Sequence, residues 1–246
     1  TRQETLVFTE SSIFTMRFFG SPFYFSFNEI ASGIGMIAPK AGASVGNIVY
    51  FMDDGAFYRA SGNVERLPCT VLDYVFSDIN KGARFKFFAA NNVEHNEVIW
   101  FYASSSSTEI NRYVTYNYAE NVWAIGTTNN NFTRTAWDAA PSLTNPLAAG
   151  KLDNTDKNYL YNHESGNLAD GTAFPAYIES ADIDLDPAGE QFMYLSKIIP
   201  DIEFQDSSNA NDTVNLVLKG RRYPNEAQST LSTSALTATT NYKNTC

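Results

Sequence analysis

An apolar unit that returns along the chain constrains the fold more than any single residue does. Its fullest copy occupies residues 97–126. Val98, Ile99, Trp100, Phe101 and Tyr102 form one apolar run, residues 104–109 a polar turn, and Tyr113, Val114, Tyr116 and Tyr118 a return run. Ala119, Glu120 and Asn121 then turn into Val122, Trp123, Ala124 and Ile125. Aromatic and β-branched residues bounded by Ser, Asn and Gly mark strands, so three consecutive strands are expected here. Earlier, Leu6-Val7-Phe8, Glu10-Ser11-Ser12 and Phe14 align with Val49-Tyr50-Phe51, Asp53-Asp54-Gly55 and Phe57 at an offset of 43 residues. The third copy starts at Val98, 49 residues after Val49, and a fourth at Tyr159, after a longer insertion. A period of about 40 to 50 residues, with several short strands in each, points to β-propeller blades. Each small sheet has a face to bury, and its neighbours must bury it.

Composition agrees with strands. The chain is 43% hydrophobic and 18% charged, with 18 Phe and 14 Tyr, which argues against disorder or a coiled coil. The net charge is -10 and no Lys/Arg-rich run exists, so the clustered positive charge of a nucleic-acid footprint is missing, although a local basic lining stays open. There is no apolar run of about 18 residues, so no stable membrane insertion is expected. The opening TRQET does not read as a secretory leader. It lacks Met and leads almost directly into a strand, as an internal piece of a longer protein would. Cys69, within LPCTV, reads as a buried free thiol; with Cys246 as the second cysteine, no disulfide framework is indicated.

The expected organisation is all-β. A β-propeller portion spans residues 1–189, with blade-like units near 4–20, 47–66, 96–126 and 157–186. A small, sandwich-like antiparallel module with a Ser/Thr-rich tail spans 190–246, with strands at 190–204 and 212–223. Residues 22–40 read as extended connections. Val71, Leu72, Val75, Phe76 and Ile79 fall at helical spacing and predict a short helix. Residues 127–155 read as a loop and one strand around Trp137. Residues 174–186 read as a strand with outward acids.

Few residues suggest chemistry. Asp182, Asp184 and Asp186 share one strand face and are a weak calcium candidate, since calcium takes six to eight oxygens on a curved loop. A solvated acidic face is the simpler reading. His95 and His163 lack partners at zinc-ligand spacing and read as a loop and a turn. Asp53 and Asp54 occupy a hairpin tip, a poor place to raise a carboxyl pKa by burial. Nucleotide-binding fingerprints and a nucleophile elbow are missing, so neither a cofactor nor an enzymatic activity is expected. Arg112, Arg134, Arg221 and Arg222 read either as partners of acids at blade or subunit contacts, or as point contacts to phosphate along a channel. Phe23 and Phe25, with Tyr24 and Phe27, are candidates for burial at a subunit contact or in the core.

The stretches LVFTESSIFTMRF, IGMIAPKAG, VYFMDDGAFYRASGNVERLPCTVLDYVFSDIN, NEVIWFYASSSSTEINRYVTYNY, VWAIG, RTAWDA, YNHESG, AYIESADIDL and EQFMYLSKIIPDI carry a resemblance. Over roughly residues 1–205, the chain resembles tail nozzle or hub proteins of short-tailed double-stranded DNA bacteriophages. The resemblance implies a β-propeller within a multidomain virion subunit. It implies a homo-oligomeric ring, commonly a hexamer, between portal or adaptor proteins and tail fibre or tip proteins, around a channel through which DNA passes transiently during ejection. It supplies no catalytic residues. The alternative is a propeller module that binds host glycan or anchors tail fibres. A binding module calls for solvent-facing aromatics beside convergent polar groups. A glycan-degrading propeller enzyme calls for two buried carboxylates in a cleft.

Overall fold

A computed structural model describes residues 5–128, 134–139, 142–151, 158–166, 168–169, 172–173, 177–180, 182–183, 192–202, 213–223 and 225–237. The protein is all-β, built of several antiparallel sheets whose strands follow one another in chain order. The first sheet is β1 (Thr5–Phe8), β2 (Ser12–Phe18) and β3 (Phe25–Ser32); the second is β4 (Gly42–Val45), β5 (Ile48–Met52), β6 (Phe57–Ala60) and β7 (Val64–Arg66). The third is β8 (Phe88–Asn92), β9 (Glu97–Tyr102), β10 (Arg112–Asn117) and β11 (Val122–Thr127), and the fourth β12 (Ala136–Asp138), β13 (Leu147–Lys151) and β14 (Asn158–Asn162). Two short strands, β15 (Leu168–Ala169) and β16 (Thr172–Ala173), pair with each other. A helix, α1 (Leu72–Asp78), and a 3-10 turn (Lys81–Lys86) link the second and third sheets. The helix lies where the apolar spacing predicts it, with Val75 buried and Phe76 5.4 Å from the Phe57 ring.

The hairpins β1–β2 and β5–β6 repeat one geometry. The innermost pairs are Phe8↔Ile13 and Met52↔Phe57, and each turn is closed by the same bond, Thr9 N to Ser12 O and Asp53 N to Ala56 O, both 2.9 Å. The structural offset is therefore 44 residues, Thr9 to Asp53, and not 43. The residue equivalent to Phe57 is Ile13, not Phe14. Side chains alternate between faces, so a slip of one residue exchanges the buried and exposed sets. Ile13 and Phe57 are both fully buried, whereas Phe14 is half-buried.

Consecutive sheets pack face against face through aromatic side chains. Phe8 meets Phe51 at 5.0 Å between the first and second sheets. The other face of the second sheet presents Phe57, whose ring lies 4.9 Å from Trp100 and 4.8 Å from Trp123 of the third. The opposite face of the third sheet presents Phe101, 6.0 Å from Trp137 of the fourth. Strand alternation explains how one sheet serves two neighbours: Tyr50 and Met52 face one way, Phe51 the other. Gly35 lies in the link between the first two sheets. Its N–H faces Asp53 Oδ1 at 3.4 Å, and a Cβ there would stand 2.2 Å from Glu10 O, so only glycine fits between the two hairpin turns.

The chain divides into two compact units, residues 1–172 and 173–246, whereas the sequence suggests a boundary after residue 189. The second unit contains a ribbon, β17 (Thr213–Gly220) paired with β18 (Ser229–Thr237), so the Ser/Thr-rich tail supplies a strand. The strand expected over 190–204 does not form across residues 192–202, and none forms at 177–180 or 182–183. A strand needs a partner for its backbone groups, and apolar content alone does not provide one. Two strands make a ribbon among the described residues of this unit, not a sandwich.

Candidate functional site

Two places in the first unit combine residues that the strand pattern alone does not require. One is a polar seam between the third and fourth sheets. Arg134 stands just before β12 and His163 just after β14. The adjoining bonds Thr135 N to Ala149 O (2.9 Å) and His163 N to Pro146 O (2.8 Å) hold these two ends to the sheet. Arg134 Nε donates to His163 Nε2 at 2.8 Å, its guanidinium lies 4.5 Å over the Tyr161 ring, and Trp137 packs 4.7 Å from the imidazole. A guanidinium has only donors, so Nε2 must carry the lone pair and the imidazole is neutral, with its proton on Nδ1. Burial and then the Arg134 charge push the His163 pKa down to about 4.

His95, in the turn between β8 and β9, places Nε2 3.5 Å from Glu164 Oε2. Burial raises the pKa of the nearby Glu97; Glu164 adds to the rise and His95 opposes it. Asn92, opposite Glu97 across β8 and β9, is 1% exposed, and neither atom of its amide has a hydrogen-bond partner. Burial also raises the Tyr113 phenol, with Glu164 and then Glu97 adding to it. The seam therefore holds both histidines of the chain. The one lone pair that could act as a base on His163 Nε2 is already occupied by Arg134, so the arrangement suits joining two sheets better than moving protons. Its sequence signal is slight: each histidine sits beside or next but one to a glutamate, and only the fold brings His95 and Glu164 together.

The other place is the β2–β3 hairpin. β2 pairs with β3 as far as Phe18↔Phe25, whereas the described pairing with β1 ends at Thr5↔Met16, so the hairpin end stands clear of the described β1 strand. Phe18, Phe19, Phe23, Tyr24, Phe25 and Phe27 are between 54% and 79% exposed there. Phe23 and Phe25, candidates for a subunit contact or for the core, thus lie outside the core of this chain.

The other singled-out residues go to separate places. Arg112 packs on the α1 side of the third sheet, with Nε 3.3 Å from Asp78 Oδ2 and Nη1 donating to Tyr74 Oη at 3.0 Å. Arg134 lies on the opposite side of that sheet, so the two do not line one surface. In the second unit Arg221 pairs with Asp182, which also accepts from Gln228 Nε2 at 2.5 Å; the backbone N–H of Arg222 donates to Glu226 Oε2 at 3.1 Å. Asp182 is thus used in an ion pair, while Asp184 and Asp186 lie outside the described residues. No group of three or more His, Cys, Asp or Glu able to hold a metal occurs among the described residues. Cys69 is a half-buried free thiol whose pKa burial raises. No helix among the described residues is long and apolar enough to cross a membrane.

Comparison with protein-family models and with curated proteins finds no match to this chain.

Proposed function

We propose that this chain is a structural component of a short-tailed phage tail, of the nozzle or hub kind, whose first unit supplies β-propeller blades to an oligomeric ring around a DNA conduit. The observation that carries the reading is the stacking of four meander sheets in chain order, each joined to the next by facing aromatics: Phe8 on Phe51, Phe57 on Trp100, Phe101 on Trp137. Successive sheets packed this way are how propeller blades bury their faces. The sequence resemblance supplies the phage setting, the commonly sixfold ring, and the neighbours on the portal or adaptor side and on the fibre or tip side.

The second unit supports an assembly role. Among its described residues Leu236 is the one buried hydrophobic, whereas Tyr177, Ile178, Phe192 and Tyr194 are more than four-fifths exposed. A groove between the ribbon and residues 195–200 is lined by Leu195, Ile198, Leu216, Leu218 and Leu236. A two-stranded ribbon with this much open apolar surface needs more surface to cover it. A net charge of -10 suits a conduit that must release its cargo, because phosphates are not held by it.

The glycan-binding alternative calls for aromatics beside convergent polar groups. Among the aromatics of the exposed hairpin, residues 18–27 contain no Asp, Glu, Asn, Gln, Lys, Arg or His that could converge on a sugar, so the structural reading is preferred. Negative-stain imaging and light scattering of the purified protein test it. A ring with a central hole is expected; a compact monomer that binds oligosaccharide would replace this reading with the alternative.

A further inference from the structure

We propose that the tip of the β2–β3 hairpin is a lipid-binding wedge that seats in the interfacial layer of a bilayer. Phe18 and Phe25 are directly paired, with rings 5.8 Å apart, and share one face of the ribbon with Met16 and Phe27. Phe19 and Tyr24 form the next pair, joined by Phe19 N to Tyr24 O at 2.9 Å, and by strand alternation they point from the opposite face. Phe23 sits within the loop that closes the tip. The end of the hairpin is therefore apolar on both faces, with Phe19 79%, Phe23 76% and Phe18 72% exposed.

A surface built to dock on one protein face needs one apolar side. A tip that is apolar all round fits a medium that surrounds it. Charge agrees: residues 18–28 contain no Asp, Glu, Lys, Arg or His, and the flanking charges, Arg17 and Glu29, are of opposite sign, which matches a zwitterionic headgroup layer. Depth agrees as well. Residues 19–24 close the hairpin beyond the Phe18–Phe25 pair, three to each side of the apex, a reach of at most about 10 Å even if fully extended, which keeps the tip within the depth at which interfacial elements sit. The ladder between β2 and β3 satisfies much of the backbone internally, which an apolar medium demands. Tyr24 supplies the amphipathic ring favoured at headgroup level. Such a wedge lies in the bilayer surface and does not cross it. The inference stands whether or not the chain forms a ring.

The test floats the full chain with vesicles of phosphatidylcholine and phosphatidylethanolamine on a density gradient. It compares the unaltered chain with Phe19→Ser/Phe23→Ser/Tyr24→Ser, and with Phe192→Ser/Tyr194→Ser as a control that removes exposed aromatics elsewhere. The unaltered chain and the control should float equally, insensitive to salt, and the hairpin variant should lose about tenfold or more in vesicle affinity. A Phe23→Trp reporter should be quenched by brominated acyl chains. Failure of the unaltered chain to float, unchanged binding by the hairpin variant, or equal loss in the control overturns the proposal. So does loss of self-association by the hairpin variant when the unaltered chain ignores vesicles, which would assign the tip to a second copy of this chain.

Discussion

The ring of Tyr113 lies across the main chain of Gly126, its direct partner in the pairing of β10 with β11: a Cβ on Gly126 would stand 2.1 Å from Tyr113 Cζ and 2.3 Å from its hydroxyl. The missing side chain is what lets the phenol lie flat over β11, while Phe101, the partner of Tyr113 on the other side in β9, lies 6.0 Å away. Gly126→Ala should therefore cost about 1–3 kcal/mol, the range for forcing a methyl into a filled site. In a Tyr113→Ala background most of that cost should vanish, because the clash has been removed. Urea unfolding of the two single variants and the double variant measures the difference. An equal cost in both backgrounds would show that the ring does not occupy that space.

The register of the repeated hairpin gives a second prediction. If Ile13 is the equivalent of Phe57, then Ile13→Ala should destabilise the protein by about 2–5 kcal/mol, and Phe14→Ala, at a half-buried position, by clearly less. Phe57→Ala should cost about 3–5 kcal/mol, since its ring joins Trp100, Trp123 and Phe76. Thermal and denaturant unfolding of the three variants gives the order. A larger loss for Phe14→Ala than for Ile13→Ala would restore the 43-residue alignment.

How much of this is legible in the sequence depends on whether a residue answers to near or distant neighbours. β9, β10 and β11 carry their own pattern of β-branched and aromatic residues, and α1 carries a spacing that only a helix satisfies, so both can be read directly. β8, with the sequence FAANN, has little strand propensity; it is a strand because β9 pairs with it. Residues 192–202 show the reverse, apolar enough for a strand but without a pairing strand among the described residues. Gly126 cannot be read as the seat of a ring, because nothing local announces that Tyr113 lies across it. The seam was hidden for the same reason. His95 and Glu164 meet through the packing of two sheets, and no spacing encodes that.

The neutral imidazole of His163 predicts a pH dependence with a definite sign. Its folded pKa of about 4 lies below the ordinary value near 6.5, so between these values the unfolded chain binds the extra proton. Its contribution is fully present above about pH 6.5 and is lost as pH falls toward 4, at no more than about 1.4 kcal/mol per pH unit. His163→Gln keeps an acceptor for Arg134 and removes the titration. The stability difference between the unaltered chain and this variant should therefore shrink as pH falls across that window. Urea unfolding from pH 7.5 to 4.5 measures it, and a flat difference would mean that His163 protonates as freely in the fold as out of it.

Glu97 acts in the opposite direction, and this separates the two groups experimentally. Burial raises its pKa in the folded chain, with Glu164 reinforcing the effect and His95 opposing it. The folded state thus favours the protonated carboxyl. The stability this lends is present below the ordinary glutamate range and is lost as pH rises through the folded value. At pH 7 the partly buried charge is a net cost, and Glu97→Gln, which keeps the shape and removes the charge, should stabilise the protein there. The gain should fade as the solution is acidified through the glutamate range, while the His163 contribution weakens over part of the same interval. Denaturant midpoints of Glu97→Gln and the unaltered chain at pH 7 and pH 4 decide it: equal midpoints at pH 7, or a gain that persists undiminished at pH 4, would mean that the Glu97 carboxylate is not desolvated by the sheet packing.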